Sequence, residues 1–218
     1  DQAKLSIAEV EENNLSDTAF GEKWARWHTC NLCEQDYHGV VNCALGWACW
    51  KTYLGRPEGD WTRFSSMRRL ANGLFQSNKY EDALVLQKSL LAVAEEEGLV
   101  RTCIGIQGHI ACCYVELERV KDGLKMFRKV YARKVQLDGN DDEGTLREAG
   151  NVTECLVKLN KLGEAEDFLN DVMPIAERSL GCDHKWTLIL RMWYGKLLCR
   201  KADASAIDIL EDTVRRSN

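Results

Sequence analysis

The chain has little proline, little histidine and no excess of positive charge. Its 218 residues include 2 prolines, Pro57 and Pro174, and 4 histidines. Scarce proline leaves long stretches free to be helical, since each proline removes a backbone donor and blocks the preceding turn. A net charge of −5 at pH 7 argues against a nucleic-acid partner, whose phosphates call for clustered Lys and Arg. No apolar run approaches the roughly 20 residues that a membrane-crossing helix needs, so direct membrane insertion is not expected. Neither a signal-like start nor an initiator Met is present, and the chain reads as a fragment, or the ordered part, of something longer. The common catalytic motifs are missing too. There is no Gly-x-Ser-x-Gly elbow, no His-Glu-x-x-His and no Gly-rich phosphate loop closed by Lys. An enzyme is not expected from the residues present.

Cysteine, by contrast, is plentiful, at 10 residues. Cys103, Cys112, Cys113, Cys155 and Cys199 fall within helical patterns, and the adjacent Cys112 and Cys113 must point in different directions. That distribution differs from the loop-borne framework of a disulfide-stapled secreted domain. It predicts reduced thiols in an intracellular, reducing compartment, either the cytoplasm or an organelle.

What is abundant is repetition. Gly139-Asn140-Asp141-Asp142-Glu143-Gly144-Thr145-Leu146 returns as Gly181-Cys182-Asp183-His184-Lys185-Trp186-Thr187-Leu188, at an offset of 42. A second register agrees: the small residues Ala83, Gly123 and Ala165 are spaced 40 and then 42. Periods of this length mark solenoids, in which each unit is one supersecondary motif. Between these marks the apolar residues recur at spacings of three and four, as in Ala83, Leu84, Leu86, Leu90, Leu91 and Ala94. The units therefore read as helix pairs, and the small residue lets two antiparallel helices approach closely. Asp183 is the expected N-cap of the last pair.

A helix-turn-helix unit with small residues at fixed places resembles the tetratricopeptide (TPR) repeat. The 42-residue spacing and the Leu180-to-His184 linker resemble the kinesin light chain variety. The resemblance implies an all-α, right-handed solenoid. The expected layout is an N-terminal extension (1–36), a capping helix with its linker (37–61), and three good repeats plus a degenerate fourth (62–217). In the fourth, Gly195 fits the small position of the first helix, but Ile207 falls where Ala is expected. The stretch 37–54 is apolar nearly all round, with Trp47, Trp50 and Tyr53, and is expected to be buried with Trp61 and Phe64 against it. An amphipathic stretch with Leu5, Ile7, Ala8 and Val10, ending at Asn14, begins the chain.

Trp27, Cys30, Cys33, Gln35, Tyr37 and Gly39 form a second pattern. A Cys-x-x-Cys before a helix is half of a zinc site. The pattern resembles the closing ligand pair of a RING-CH finger, as found joined to kinesin-light-chain-like repeats in algal proteins. Zinc at Cys30 and Cys33 is the one metal expectation, and idle thiols are the alternative, because the other six ligands of such a finger are absent.

In TPR proteins the first helices line a groove that takes peptides. Carried over, the groove positions are Ser65, Arg68, Asn72, Phe75 and Gln76, then Gly108, Cys112, Val115 and Glu116. They continue with Arg147, Gly150, Glu154, Val157 and Lys158, and end with Met192, Lys196 and Arg200. Co-chaperone TPR domains clamp a carboxylate with Asn and basic residues. Arg68 with Asn72 resembles one such pair, Arg147 with Asn151 a second, and His109 takes the place of another Asn. Two functions follow. One is a non-enzymatic scaffold that binds a protein partner or peptide, as a peripheral subunit of a larger complex. The other is the substrate-recognition part of a RING-CH ubiquitin ligase.

Overall fold

In a computed structural model, residues 2–13 and 16–217 are described, and they form eleven α-helices and one 3-10 turn. Among them there is no strand, only an isolated bridge between Thr29 and Asp36. Asn14, in the first expected stretch, lies outside the described residues. The chain divides into two compact units, Asp1–Cys103 and Ile104–Asn218.

Unit 1 holds α1 (Gln2–Glu12), α2 (Asp17–Trp24), the 3-10 turn (Ala25–Trp27), α3 (Gly39–Tyr53), α4 (Trp61–Gln76) and α5 (Tyr80–Glu96). The division falls within α6 (Val100–Glu116). Unit 2 continues with α7 (Val120–Asp138), α8 (Glu143–Lys158), α9 (Leu162–Ser179), α10 (Lys185–Lys201) and α11 (Ser205–Ser217).

The repeat is written into the backbone at its turns. Asn78, Glu118, Asn160 and Ala202 follow α4, α6, α8 and α10, and all four are left-handed, with φ of 60°, 58°, 56° and 57°. The next residue's N–H then donates back into the helix. Lys79 reaches the Leu74 carbonyl at 2.9 Å, Arg119 that of Tyr114 at 2.8 Å, Lys161 that of Leu156 at 2.9 Å, and Asp203 that of Leu198 at 3.0 Å. This is the Schellman arrangement, which satisfies carbonyls that a helix end would otherwise leave bare. The shared turn sets the antiparallel return of each second helix.

The helix starts show both the pattern and its limits. Asp60 caps α4 by accepting the Arg63 N–H at 2.9 Å, and Asp142 caps α8 by accepting that of Thr145 at 2.8 Å. In the last pair the cap is His184, whose Nδ1 accepts the Trp186 N–H at 3.4 Å. The expectation for Asp183 is thereby corrected. His184 stands 42 residues after Asp142 and takes its place, while Asp183 pairs with Arg216 at 2.8 Å.

Close approach depends on the small residues. Ala83 and Ala165 are fully buried. A Cβ on Gly123 would stand 2.6 Å from Val115 Cγ2, so α7 sits directly on α6 there. In the fourth pair the buried small residue is Ala206, and Ile207 is 64% exposed. From the left-handed turn residue to the small residue is five positions in the first three pairs (Asn78 to Ala83, Glu118 to Gly123, Asn160 to Ala165) but four in the last (Ala202 to Ala206), so the register of α11 is displaced by one. Leu146, Leu156, Leu169, Leu190 and Leu197 fill the core of unit 2.

The α3 helix is not buried all round. Cys43, Gly46, Cys49 and Tyr53 face inward, whereas Val40, Val41 and Trp47 are 79%, 54% and 43% exposed. Two glycines set the buried side. A Cβ on Gly46 would lie 2.9 Å from Leu70 Cα, and one on Gly73 would lie 2.7 Å from Cys43 Cα. The backbones of α3 and α4 therefore touch, and only one stripe of α3 fits into the contact. Phe64 is buried as expected, but Trp61 stacks on it at 6.2 Å and stays half-exposed.

Candidate partner-binding site

In unit 1 one side of α4 carries Trp61, Ser65, Arg68 and Asn72, at intervals of four, three and four, so they stand in one row. The start of this row walls a cleft of about 770 Å³, with Val10, Phe20 and Trp24 from α1 and α2 on the far side. Phe20 and Trp24 stack on each other at 5.6 Å. They sit four residues apart on α2, which is why both can face the cleft.

The polar groups of this cleft divide into two sets. Arg56 is satisfied, because its guanidinium spans both carboxylate oxygens of Glu11 at 2.7 Å and reaches Asp60 at 3.5 Å. Ser65 and Arg68 are not. Ser65 is 2% exposed and its Oγ has no hydrogen-bond partner. Arg68 has no ion-pair or hydrogen-bond partner among the described residues, and burial holds its pKa below the usual guanidinium value. A buried hydroxyl and a desolvated cation, both without partners, cost stability. An anion seated between them would recover that cost. Asn72, a turn beyond Arg68, likewise has no partner among the described residues. Elsewhere on α4, Gln76 accepts the Asn42 amide at 2.8 Å, and Phe75 meets Tyr80 edge-on at 5.2 Å. Both serve the fold of unit 1.

In unit 2 several of the expected groove residues already have partners of their own. Arg147 holds the carboxylate of Glu148 through Nε at 3.1 Å and Nη2 at 2.8 Å. Asn151 donates to the other oxygen of Glu148 at 2.9 Å. The pair expected to clamp a partner's carboxylate thus already holds one of its own. Lys158 pairs with Glu154 at 2.8 Å, and Lys196 lies over the Trp193 ring at 4.2 Å. Arg200 donates to the Val157 carbonyl. Cys112 is half-buried, its thiol pushed up to about 12 by burial. His109 is exposed on α6. Val115 and Val157 belong to the core and do not line a surface.

The sequence reading missed Phe20, Trp24 and Trp61 as walls of the cleft. The four-residue spacing of Phe20 and Trp24 was visible, but their packing partner was not. Glu148 was missed as well. Its place beside Arg147 and three residues before Asn151 was the available sign.

Cys30 and Cys33 lie on the loop closed by the Thr29–Asp36 bridge, with the Cys30 N–H bonded to the Gln35 carbonyl at 2.9 Å. N–H groups of Leu32 and Cys33 point at the Cys30 sulfur and lower its pKa to about 7. A structural zinc takes four ligands. No group of three or more His, Cys, Asp or Glu able to hold a metal occurs among the described residues. The two thiols are half a donor set, and the residues described do not complete a zinc site. All ten cysteines are free thiols.

No protein-family model matches the chain, and no curated protein matches it in sequence. Solved structures do resemble it. A Podosopora anserina protein of kinesin light chain type, with nearly identical TPR-like repeats, superposes with a TM-score of 0.64 at 13% identity. The match covers 99% of this chain and 92% of that one, and a single-substitution variant of the same protein scores 0.65. BtubC from P. vanneervenii scores 0.62 at 14% identity, over 80% of this chain and 70% of that one. At this identity the likeness is one of fold: an all-α chain of helices packed in successive pairs, of the TPR-like solenoid class. No helix among the described residues is long and apolar enough to cross a membrane.

Proposed function

We propose that the chain is a protein-interaction scaffold that engages an acidic segment of a protein partner at α4. The observation that carries this reading is the contrast between Arg68 and the other cations of the expected groove. Arg147, Lys158, Lys196 and Arg200 each have a partner inside unit 2. Arg68 has none among the described residues and stands beside the unpartnered hydroxyl of Ser65. Guanidinium suits a carboxylate because two N–H donors can meet two oxygens at once. The aromatic walls add apolar contact next to the charge, the usual make-up of a specific site. The TPR-like fold supports a scaffold in general terms.

The direct test is an array of short peptides of equal length and graded acidity, overlaid with the labelled chain. Retention that rises with acidity, and quenching of the Trp24 and Trp61 fluorescence by the same peptides, supports the reading. Retention indifferent to acidity contradicts it.

A further inference from the structure

Cys30 and Cys33 are the two thiols of one surface turn. Asn31, Leu32 and Cys33 form that turn, and the Glu34 N–H closes it by donating to the Cys30 carbonyl at 2.9 Å. A turn brings residues three apart to within about 7 Å, and a disulfide spans Cα separations up to about that distance. The two sulfurs already lie within hydrogen-bond reach of each other. The base of the loop is pinned. The Thr29 hydroxyl donates to Asp36 Oδ1 at 2.7 Å, and the Tyr37 N–H donates to the His28 carbonyl at 2.8 Å. Joining the sulfurs therefore orders little further chain, and closing the ring costs little entropy.

The surroundings of the two sulfurs differ. Cys30 is half-buried and accepts the N–H groups of Leu32 and Cys33 and the Tyr37 hydroxyl. Such donors favour the thiolate, the form that attacks a disulfide. Cys33 is exposed at the end of the turn, close enough to attack a bond formed at Cys30. The remaining thiols are placed otherwise. Those of α3, α6 and α8 are buried or half-buried, and the exposed Cys182 and Cys199 stand at opposite ends of α10, too far apart to meet.

We propose that Cys30 and Cys33 are a redox-active dithiol that reduces small disulfides of the glutathione type. The Cys30 thiolate attacks one sulfur of the small disulfide and expels the other as the first thiolate, leaving a mixed disulfide. Cys33, having lost its proton, attacks the Cys30 sulfur and expels the second. Two electrons pass to the small disulfide, which leaves as two thiols. The protons that the two cysteines give up end on those thiols, and a Cys30–Cys33 disulfide remains on the loop.

Oxidised glutathione tests this on the full chain, in a buffer with a chelator so that the thiols carry no stray metal. The reaction is quenched with acid and mapped peptide by peptide by mass. Cys182 and Cys199 are internal standards, since a thiol without a neighbouring thiol keeps its glutathione. In the parent, the peptide holding Cys30 and Cys33 should lose two hydrogens and carry no glutathione, and dithiothreitol should restore it. Cys33→Ser should stop at the mixed disulfide and keep one glutathione on Cys30. Cys30→Ser should take glutathione on Cys33 no faster than on Cys182 and Cys199. Both positions lie on a surface loop, and each variant should keep the helical far-ultraviolet spectrum of the parent. A parent that gathers glutathione on Cys30 or Cys33 without forming the disulfide overturns the proposal. So does a pair that stays reduced while Cys182 and Cys199 are modified, or a Cys33→Ser chain whose Cys30 gains no adduct.

Discussion

The guanidinium of Arg147 grips the carboxylate of Glu148, its neighbour in sequence, with Nη2 2.8 Å from Oε1. Asn151 holds the second oxygen at 2.9 Å, and Glu148 is only 3% exposed. The Glu148 carboxylate thus occupies donors of both Arg147 and Asn151. Arg68 and Asn72, the matching types on α4, have no such carboxylate among the described residues. The same pair of residue types is engaged internally in one unit and not in the other.

That difference predicts the behaviour of Glu148→Gln. Loss of the charge removes charge-assisted hydrogen bonds worth about 1.5–3 kcal/mol each, so the variant should unfold at lower urea concentration. The freed Arg147 should at the same time give the chain a second, weaker place for acidic peptides, seen as a rise in stoichiometry in a titration. A variant of unchanged stability would show that the Glu148 contacts contribute nothing.

Gly73 and Gly105 should respond to alanine with opposite signs. Both lie inside helices, where alanine is favoured over glycine by about 1 kcal/mol. At Gly105 a Cβ meets nothing within 4 Å, so Gly105→Ala should raise the urea midpoint. At Gly73 the new atom would lie 2.7 Å from Cys43 Cα and 2.9 Å from the Asn42 carbonyl oxygen, both backbone atoms that cannot step aside. Gly73→Ala should therefore lower stability by about 1–3 kcal/mol, the usual cost of overpacking. Equal effects at the two sites would contradict the backbone contact of α3 with α4.

How much of this was legible beforehand depended on the range of the interaction. The period and the helix pairs rest on local chemistry and stood in the sequence. His184 could be placed as a cap only by keeping strict register with Asp142, since Asp is the commoner capping residue and Asp183 lay one position away. Ile207 misled because the buried small residue of the last pair, Ala206, follows the left-handed residue by four positions instead of five. The outward stripe of α3 was illegible, because an apolar helix does not reveal which of its faces finds a neighbour. Whether a cation is open or closed, as with Arg68 and Arg147, is settled by contacts that composition does not encode. Nothing among the described residues adds to the RING-CH resemblance at Cys30 and Cys33.

The thiols make stability fall at alkaline pH. Burial raises Cys49, Cys112 and Cys155 to about 12, while in the unfolded chain a thiol ionises near about 8.5. Above that pH the unfolded chain gives up protons that the folded chain keeps, so the folded state loses ground. The contribution is whole below about 8.5 and drains away as pH rises toward 12. Cys30 runs the other way, because its thiolate already forms near about 7. Denaturation midpoints should drop between neutral and alkaline buffers. Alkylation in the folded state should mark Cys30 far ahead of Cys49, Cys112 and Cys155. Uniform labelling of these four would contradict the assigned environments.

The measurement that bears most directly on the central claim is calorimetric titration of an acidic peptide from the array into the parent chain, Arg68→Ala and Arg147→Ala. Loss of a charge-assisted contact of about 1.5–3 kcal/mol corresponds to roughly 10- to 100-fold in affinity. The expected result is a loss of that size for Arg68→Ala and little change for Arg147→Ala, whose guanidinium is already engaged by Glu148. Full affinity in Arg68→Ala, or a loss confined to Arg147→Ala, would contradict the assignment of the binding site to α4.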